Sequence, residues 1–152
     1  MSEDHWVWQC DRTIPSDTGV GRQLLDEVLT ELATLQWPAR DVFSIHLAID
    51  EAIVNAILHG NALDATKHVR ILCWISADKF RIEIIDEGEG FDPDGLPDPT
   101  SPCRLGCPSG RGVMLMRTFM SRVEFHDRGN HVVMEKDRDL NEQCDEENAP
   151  AA

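Results

Sequence analysis

With 152 residues, the chain is long enough for one domain with its own hydrophobic core, needing neither disulfides nor a structural metal. Its 41% hydrophobic fraction is that of a globular protein, no apolar run is expected to span a bilayer, and the amino-terminal MSEDHWVWQC lacks the charged-then-apolar pattern of a secretory leader. A net charge of -14 repels a phosphate backbone and argues against direct nucleic-acid binding; any nucleotide ligand must find positive potential in a cation and in backbone amides. Five scattered cysteines with no CxxC pair point to reduced thiols and a cytoplasmic location.

Residues His5 to Thr13 (HWVWQCDRT) alternate roughly and are rich in aromatic and β-branched side chains, which predicts a first strand ended by Pro15. Ser16 or Asp17 can cap the helix that follows, where Val20, Leu24, Val28, Leu32 and Leu35 recur at helical spacing as far as Trp37 and Pro38. A second helix is expected from about Ala39 to Gly60-Asn61. Its section Ile45 to Asn61 (IHLAIDEAIVNAILHGN) is apolar around almost the whole helical wheel and should be mostly buried. His68 to Ser76 and Lys79 to Asp86 alternate, and the two residues Ala77-Asp78 between them suit a hairpin. Glu87 to Ser109 gathers Gly, Pro and Asp without a period. A loop of this length is functional or disordered, and it is expected to be mobile. Gly110 to Met120 should form a third helix with its methionines in the core. Ser121 to Asp127 and His131 to Lys136 should be strands joined through Arg128-Gly129-Asn130. The acidic stretch 137–152 reads as a disordered tail behind a folded domain of residues 1–136. This order predicts an α/β (α+β) two-layer sandwich, with a mixed, mainly antiparallel sheet covered on one face by three helices.

Three stretches carry candidate chemistry. On the second helix, Glu51, Asn55 and His59 fall at i, i+4 and i+8, a narrow polar stripe flanked by Leu47, Val54, Leu58, Ala48 and Ala52. The plain alternative is a half-exposed amphipathic helix. The sharper reading aims a carboxylate and a carboxamide into a pocket, where they can handle a proton and a metal ion. Next, Asp86-Glu87-Gly88-Glu89-Gly90-Phe91 follows a strand. Its glycines allow close approach to a flat ligand, and Asp86 can accept a hydrogen bond from a buried amine; the alternative is a simple strand-exit turn. Finally, Ser109-Gly110-Arg111-Gly112-Val113 opens a helix, whose first N–H groups form an anion site unless the segment is only a linker.

Taken together, DEAIVNAILHGN, IDEGEGFDP, PSGRGVMLMRTFM and RGNHVVMEK, in this order, resemble the GHKL (Bergerat-fold) ATPases, and within them the anti-sigma-factor serine/threonine kinases. The resemblance runs from about Trp6 to Lys136. It implies that Glu51 is the general base, that Asn55 holds Mg²⁺, and that Asp86 reads the adenine amino group within a pocket shaped by Gly88, Gly90 and Phe91. It places His59 and Gly60 at the pocket edge, and Gly110, Arg111, Gly112 and Val113 at the lid against the phosphates. Arg111 is as readily an exposed lid charge. Cys103 and Cys107 in the lid depart from the family pattern and read as two small residues, not as a metal site.

The leading functional expectation is therefore an ATP-dependent anti-sigma-factor-type kinase. By the resemblance it binds ATP with Mg²⁺, phosphorylates a STAS-type anti-anti-sigma protein, sequesters a sigma factor, and acts as a homodimer. The alternative is an ATP-binding partner-switch module without significant kinase activity. A detached histidine-kinase catalytic domain ranks last, because no helical phospho-acceptor hairpin precedes the ATPase region.

Overall fold

The computed structural model describes residues 5–88, 110–127 and 129–139. Strand β1 spans Trp8–Pro15, helix α1 Thr18–Thr34 and helix α2 Ala39–Val54, which continues into a π-helical turn, Asn55–Gly60. There follow β2 His68–Ile75, β3 Lys79–Ile85, α3 Gly110–Phe119, β4 Arg122–His126 and β5 His131–Asp137. The expected loop between β3 and α3 lies, from residue 89 to 109, outside the described residues.

Local chemistry explains the boundaries. Asp17 is the cap of α1, its carboxylate accepting from the N–H groups of Gly19 and Val20 at 2.8 and 3.4 Å. Pro38 precedes α2 with a fixed φ of -57°, as suits an entry residue without a donor. The carboxyl end of α1 is covered from far along the chain. The Arg138 guanidinium donates to the carbonyls of Leu35 at 3.2 Å, of Ala77 at 2.9 Å and of Gln36, and stacks over Trp37 at 5.8 Å. The Asp139 N–H donates to the buried Asp41 carboxylate at 2.8 Å. The ordered chain thus continues past the boundary expected at Lys136: Asp137 ends β5, and Arg138 and Asp139 are pinned to the α1–α2 connection. The expected tail, from residue 140 on, lies outside the described residues.

The sheet order is β1-β2-β3-β5-β4, and every pairing among the described strands is antiparallel, so the parallel element allowed by a mixed sheet is not found there. Alternation sends Val69, Ile71, Cys73 and Ile75 of β2, Phe80, Ile82 and Ile84 of β3, and Val132 and Met134 of β5 to one face. Against them pack Leu24, Leu25, Val28 and Leu32 of α1, Ile45, Ala48, Ile49, Ala52 and Ile53 of α2, and Val113 and Met116 of α3. Each fully buried aliphatic side chain contributes about 1.5–3 kcal/mol against exposure. Phe43 and Phe119 meet edge to face at 6.2 Å where α3 lies on α2. The methionine expectation divides: Met116 and Met120 are core, whereas Met114 is exposed.

The helix-free face of the sheet is polar. Arg81 bridges Glu83 at 2.9 Å and Glu135 at 2.6 Å, and the His131 ring lies 2.8 Å from Glu83. The segment Ala39–Gly60 is, by length and a mean hydropathy of 1.4, apolar enough to cross a membrane, which the sequence reading did not foresee. In the fold Ile45, Ala48, Ile49, Ala52, Ile53, Ala56 and Ile57 of this segment are core, whereas Phe43 is exposed.

Candidate functional site

The site lies where α2, its π turn, the end of β3 and the start of α3 converge. The π turn is set by the Asn61 N–H, which donates to the Ala56 carbonyl five residues back at 2.8 Å, followed by the Leu63 N–H to Ile57 at 2.9 Å. The wider turn breaks the α-helical phase of the stripe. Glu51 and Asn55 keep their one-turn spacing, but His59 advances through π geometry.

Glu51 and Asn55 are half-buried and face the first turn of α3. A Cβ built on Gly112 would stand 2.9 Å from Glu51 Oε1 and 3.3 Å from Asn55 Nδ2, so a larger residue there would push the Glu51 carboxylate aside. Asn55 Nδ2 and His59 Nδ1 are buried without a hydrogen-bond partner among the described residues. A native fold rarely leaves such atoms orphaned without a ligand or water to meet them. Burial also lowers the His59 pKa, so its ring is held neutral.

The second cluster surrounds Asp86, 8% exposed at the end of β3. Its N–H donates to the Asn130 carbonyl at 2.9 Å, its carbonyl accepts from Asn130 Nδ2 at 3.1 Å, and its carboxylate accepts from the Gly88 N–H at 2.8 Å. Burial pushes the carboxyl up to about 6, opposed by the Gly88 N–H and the Lys67 charge. Gly60 and Gly88 make the turn possible: a Cβ on Gly60 would lie 2.5 Å from the Asp86 carboxylate, and one on Gly88 only 1.9 Å from the Gly60 carbonyl oxygen.

Between the two clusters is a crevice floored by Ala52, Ala56, Ile84, Met116, Phe125 and Val132, with Asn55, Asp86 and Asn130 on its polar rim. An apolar slot with a hydrogen-bond acceptor at its end suits a flat heterocycle, and the Asn55 amide beside a glycine-rich helix start suits a metal-phosphate group. Among the described residues no cluster of three or more His, Cys, Asp or Glu could hold a metal ion alone. A Mg²⁺ site beside a nucleotide needs few protein oxygens, because phosphate oxygens and waters complete its shell.

The structure therefore brings together Glu51, Asn55 and Gly112, and separately Gly60, Asp86 and Gly88, with His59 beside Gly60. Gly110 is the first residue of α3 and Arg111 the second. Gly90 and Phe91 lie outside the described residues. The Val113 side chain is 3% exposed and belongs to the core, so its expected place at the helix start is one of backbone. Sequence reasoning missed Met116, Phe125 and Asn130 as pocket walls. Asn130 carries a buried, unpartnered Oδ1 beside Asp86, and its only sequence signal was a turn motif between two strands.

An antiparallel sheet of this order, with three helices on one face and a crevice between α2, α3 and the end of β3, is the architecture of a histidine-kinase-like ATPase. A solved structure of the RsbU and RsbW domains of Rv1364c from Mycobacterium tuberculosis superposes with a TM-score of 0.59 over 87% of this chain; identity is 16%, and the match spans 32% of that longer chain. The family model for the histidine kinase-like ATPase domain matches residues 14–136. An anti-sigma F factor from Clostridium perfringens is 32% identical over 112 residues, covering 69% of this chain and 79% of the relative. A serine-protein kinase RsbW from Listeria innocua is 30% identical over 112 residues, covering 69% and 70%. The chain belongs to the histidine-kinase-like ATPase family, in its anti-sigma-factor kinase branch.

Proposed function

We propose that the chain is an ATP-dependent serine/threonine kinase that phosphorylates a STAS-type anti-anti-sigma protein and sequesters a sigma factor, working as a cytoplasmic homodimer. The observation that carries the reading is the convergence of Glu51, Asn55 and the glycine start of α3 at one end of a crevice whose other end is Asp86. Asp86 accepts from the adenine amino group. Asn55 would hold Mg²⁺ through its carboxamide oxygen, and the ion would neutralise phosphate charge; the unpartnered Nδ2 is a donor that would meet a phosphate oxygen or water. The N–H groups at the start of α3 face the phosphates. Glu51, held on a rigid helix, orients the acceptor hydroxyl and takes its proton. Phosphoryl transfer asks mainly for positioning and charge stabilisation, which these elements supply.

The relatives' two names, anti-sigma factor and serine-protein kinase, favour keeping the alternative of a partner-gripping ATP-binding module with no significant transfer in view. Incubation with radiolabelled ATP, Mg²⁺ and STAS proteins encoded nearby separates them. Label on a serine or threonine supports the kinase. Tight, ATP-dependent sigma-factor binding with no label on any acceptor supports the module.

A further inference from the structure

Asn61 follows the π turn, where a solvated turn residue is expected, yet it is 0% exposed. Both ends of its carboxamide are used. Nδ2 donates to Ser16 Oγ at 3.1 Å and to the His68 carbonyl at 3.0 Å, while Oδ1 accepts from the Glu87 N–H at 2.8 Å. The Ser16 hydroxyl in turn donates to the Lys67 carbonyl at 2.9 Å. One side chain thus ties the β1–α1 connection and the start of β2 to the exit of β3.

The Glu87 N–H belongs to the peptide between Asp86 and Glu87. Asn130 holds Asp86 from the strand side, and Asn61 holds this peptide from the helix side. There is no slack in the turn, because Gly88 already packs against the Gly60 carbonyl at a distance no side chain could share. Rotating the peptide would re-aim the Asp86 carboxylate.

We infer that Asn61 is a positioning residue that sets base selectivity, by fixing the Asp86-Glu87-Gly88 turn so that the carboxylate meets the amino group of adenine and rejects the carbonyl of guanine. The inference rests on the nucleotide reading above. It acts through Asp86 and needs no contact between Asn61 and the nucleotide.

The test is calorimetric titration of the full chain with MgATP and MgGTP, alongside thermal melts, for Asn61→Ala, Asn61→Asp and Ser16→Ala. Loss of one buried hydrogen bond corresponds to about tenfold in affinity. Asn61→Ala should therefore weaken MgATP about tenfold and draw the ATP-to-GTP preference toward unity. Its effect should largely vanish in an Asp86→Asn background, the signature of residues acting as a unit. Asn61→Asp keeps an acceptor toward Glu87 and should retain most of the preference. Ser16→Ala should lower the melting temperature and leave the preference unchanged.

An Asn61→Ala protein that melts lower but discriminates as well as wild type overturns the inference, as does an equal loss in both backgrounds. If Asn61→Ala does not fold, two measurements decide. The wild-type Glu87 amide should be protected from hydrogen exchange, and Asn61→Asp should still discriminate; fast exchange or lost preference overturns the role. A wild type that binds neither nucleotide overturns the nucleotide reading itself. One that prefers ATP while Asn61→Ala does so equally overturns only the role of Asn61.

Discussion

Replacing Asp86 with asparagine should make the protein more stable and worse at binding ATP. Burial lifts this carboxyl from its ordinary 3.8 to about 6. An ionised carboxylate in such a site costs folding free energy. At about 1.4 kcal/mol for each pH unit of displacement the cost at neutral pH reaches ~3 kcal/mol. Water reaches part of the crevice, which reduces the expected gain from Asp86→Asn to about 1–2 kcal/mol. Because the folded-state pKa lies above the unfolded one, the cost is full above pH 6 and fades as pH falls through 6 toward 3.8. His59 works the other way in the same range: its folded-state pKa is lowered, so stability falls as pH drops through its ordinary 6.5. Both proteins carry His59, so the difference between them isolates Asp86. Urea unfolding should show the variant more stable at about pH 7.5, with most of the difference gone near pH 4.5. Calorimetry at about pH 7.5 should show MgATP bound at least about tenfold more weakly, since one end of the new carboxamide is a donor. Equal or lower stability of the variant at neutral pH, or a difference that persists at acid pH, would refute the reasoning.

Asn55→Ala should keep the fold and abolish the Mg²⁺-dependent part of ATP affinity; titrations with and without Mg²⁺ that match wild type would count against the metal role. Glu51→Gln should leave MgATP affinity intact while phosphoryl transfer falls by about 10²–10⁴-fold, the usual share of general-base assistance; transfer at the wild-type rate in a quench-flow assay would remove Glu51 from the chemistry. Gly112→Ala would put a methyl group 2.9 Å from Glu51 Oε1. It should push the Glu51 carboxylate aside, crowd that end of the crevice and weaken MgATP binding, with a melting temperature close to wild type. A normal titration curve would show that α3 has room to spare.

The hairpin of β2 and β3 was legible because burial alternates along both strands, the β-rich runs 68–76 and 79–86 being separated by the two residues Ala77-Asp78. The cap of α1, narrowed to Ser16 or Asp17, and the placing of Glu51 and Asn55 on one stripe were legible for a similar reason: local chemistry at a fixed spacing determines them. The π turn was not, because a helix apolar on nearly every side gives no phase to read. Arg138 was hidden by its neighbours. The composition around it is that of a solvated tail, and composition does not show that one guanidinium reaches three carbonyls, two of them 102 and 103 residues away in the chain and the third 61. Asn61 and Asn130 read as turn residues, and they are turn residues. Their second use appears only when the exit of β3 is brought between them.

The π turn has a consequence for how this segment tolerates change in length. Each residue of an α-helix advances the wheel by about 100°, and a π turn absorbs an extra residue without unwinding the helix. The segment Asn55–Gly60 therefore works as a phase shifter between the body of α2 and the turn at its end that carries Gly60. Upstream, the orientation is set by Glu51 and Asn55 looking toward α3; downstream, by Gly60 lying against Asp86. Loss of a single residue here would restore regular α geometry and cost the helix little. It would also turn the two ends of the crevice out of alignment by more than a quarter of a revolution. Substitutions in this turn can be graded by size and polarity, but its residue count is an integer, and the geometry of the pocket depends on that integer.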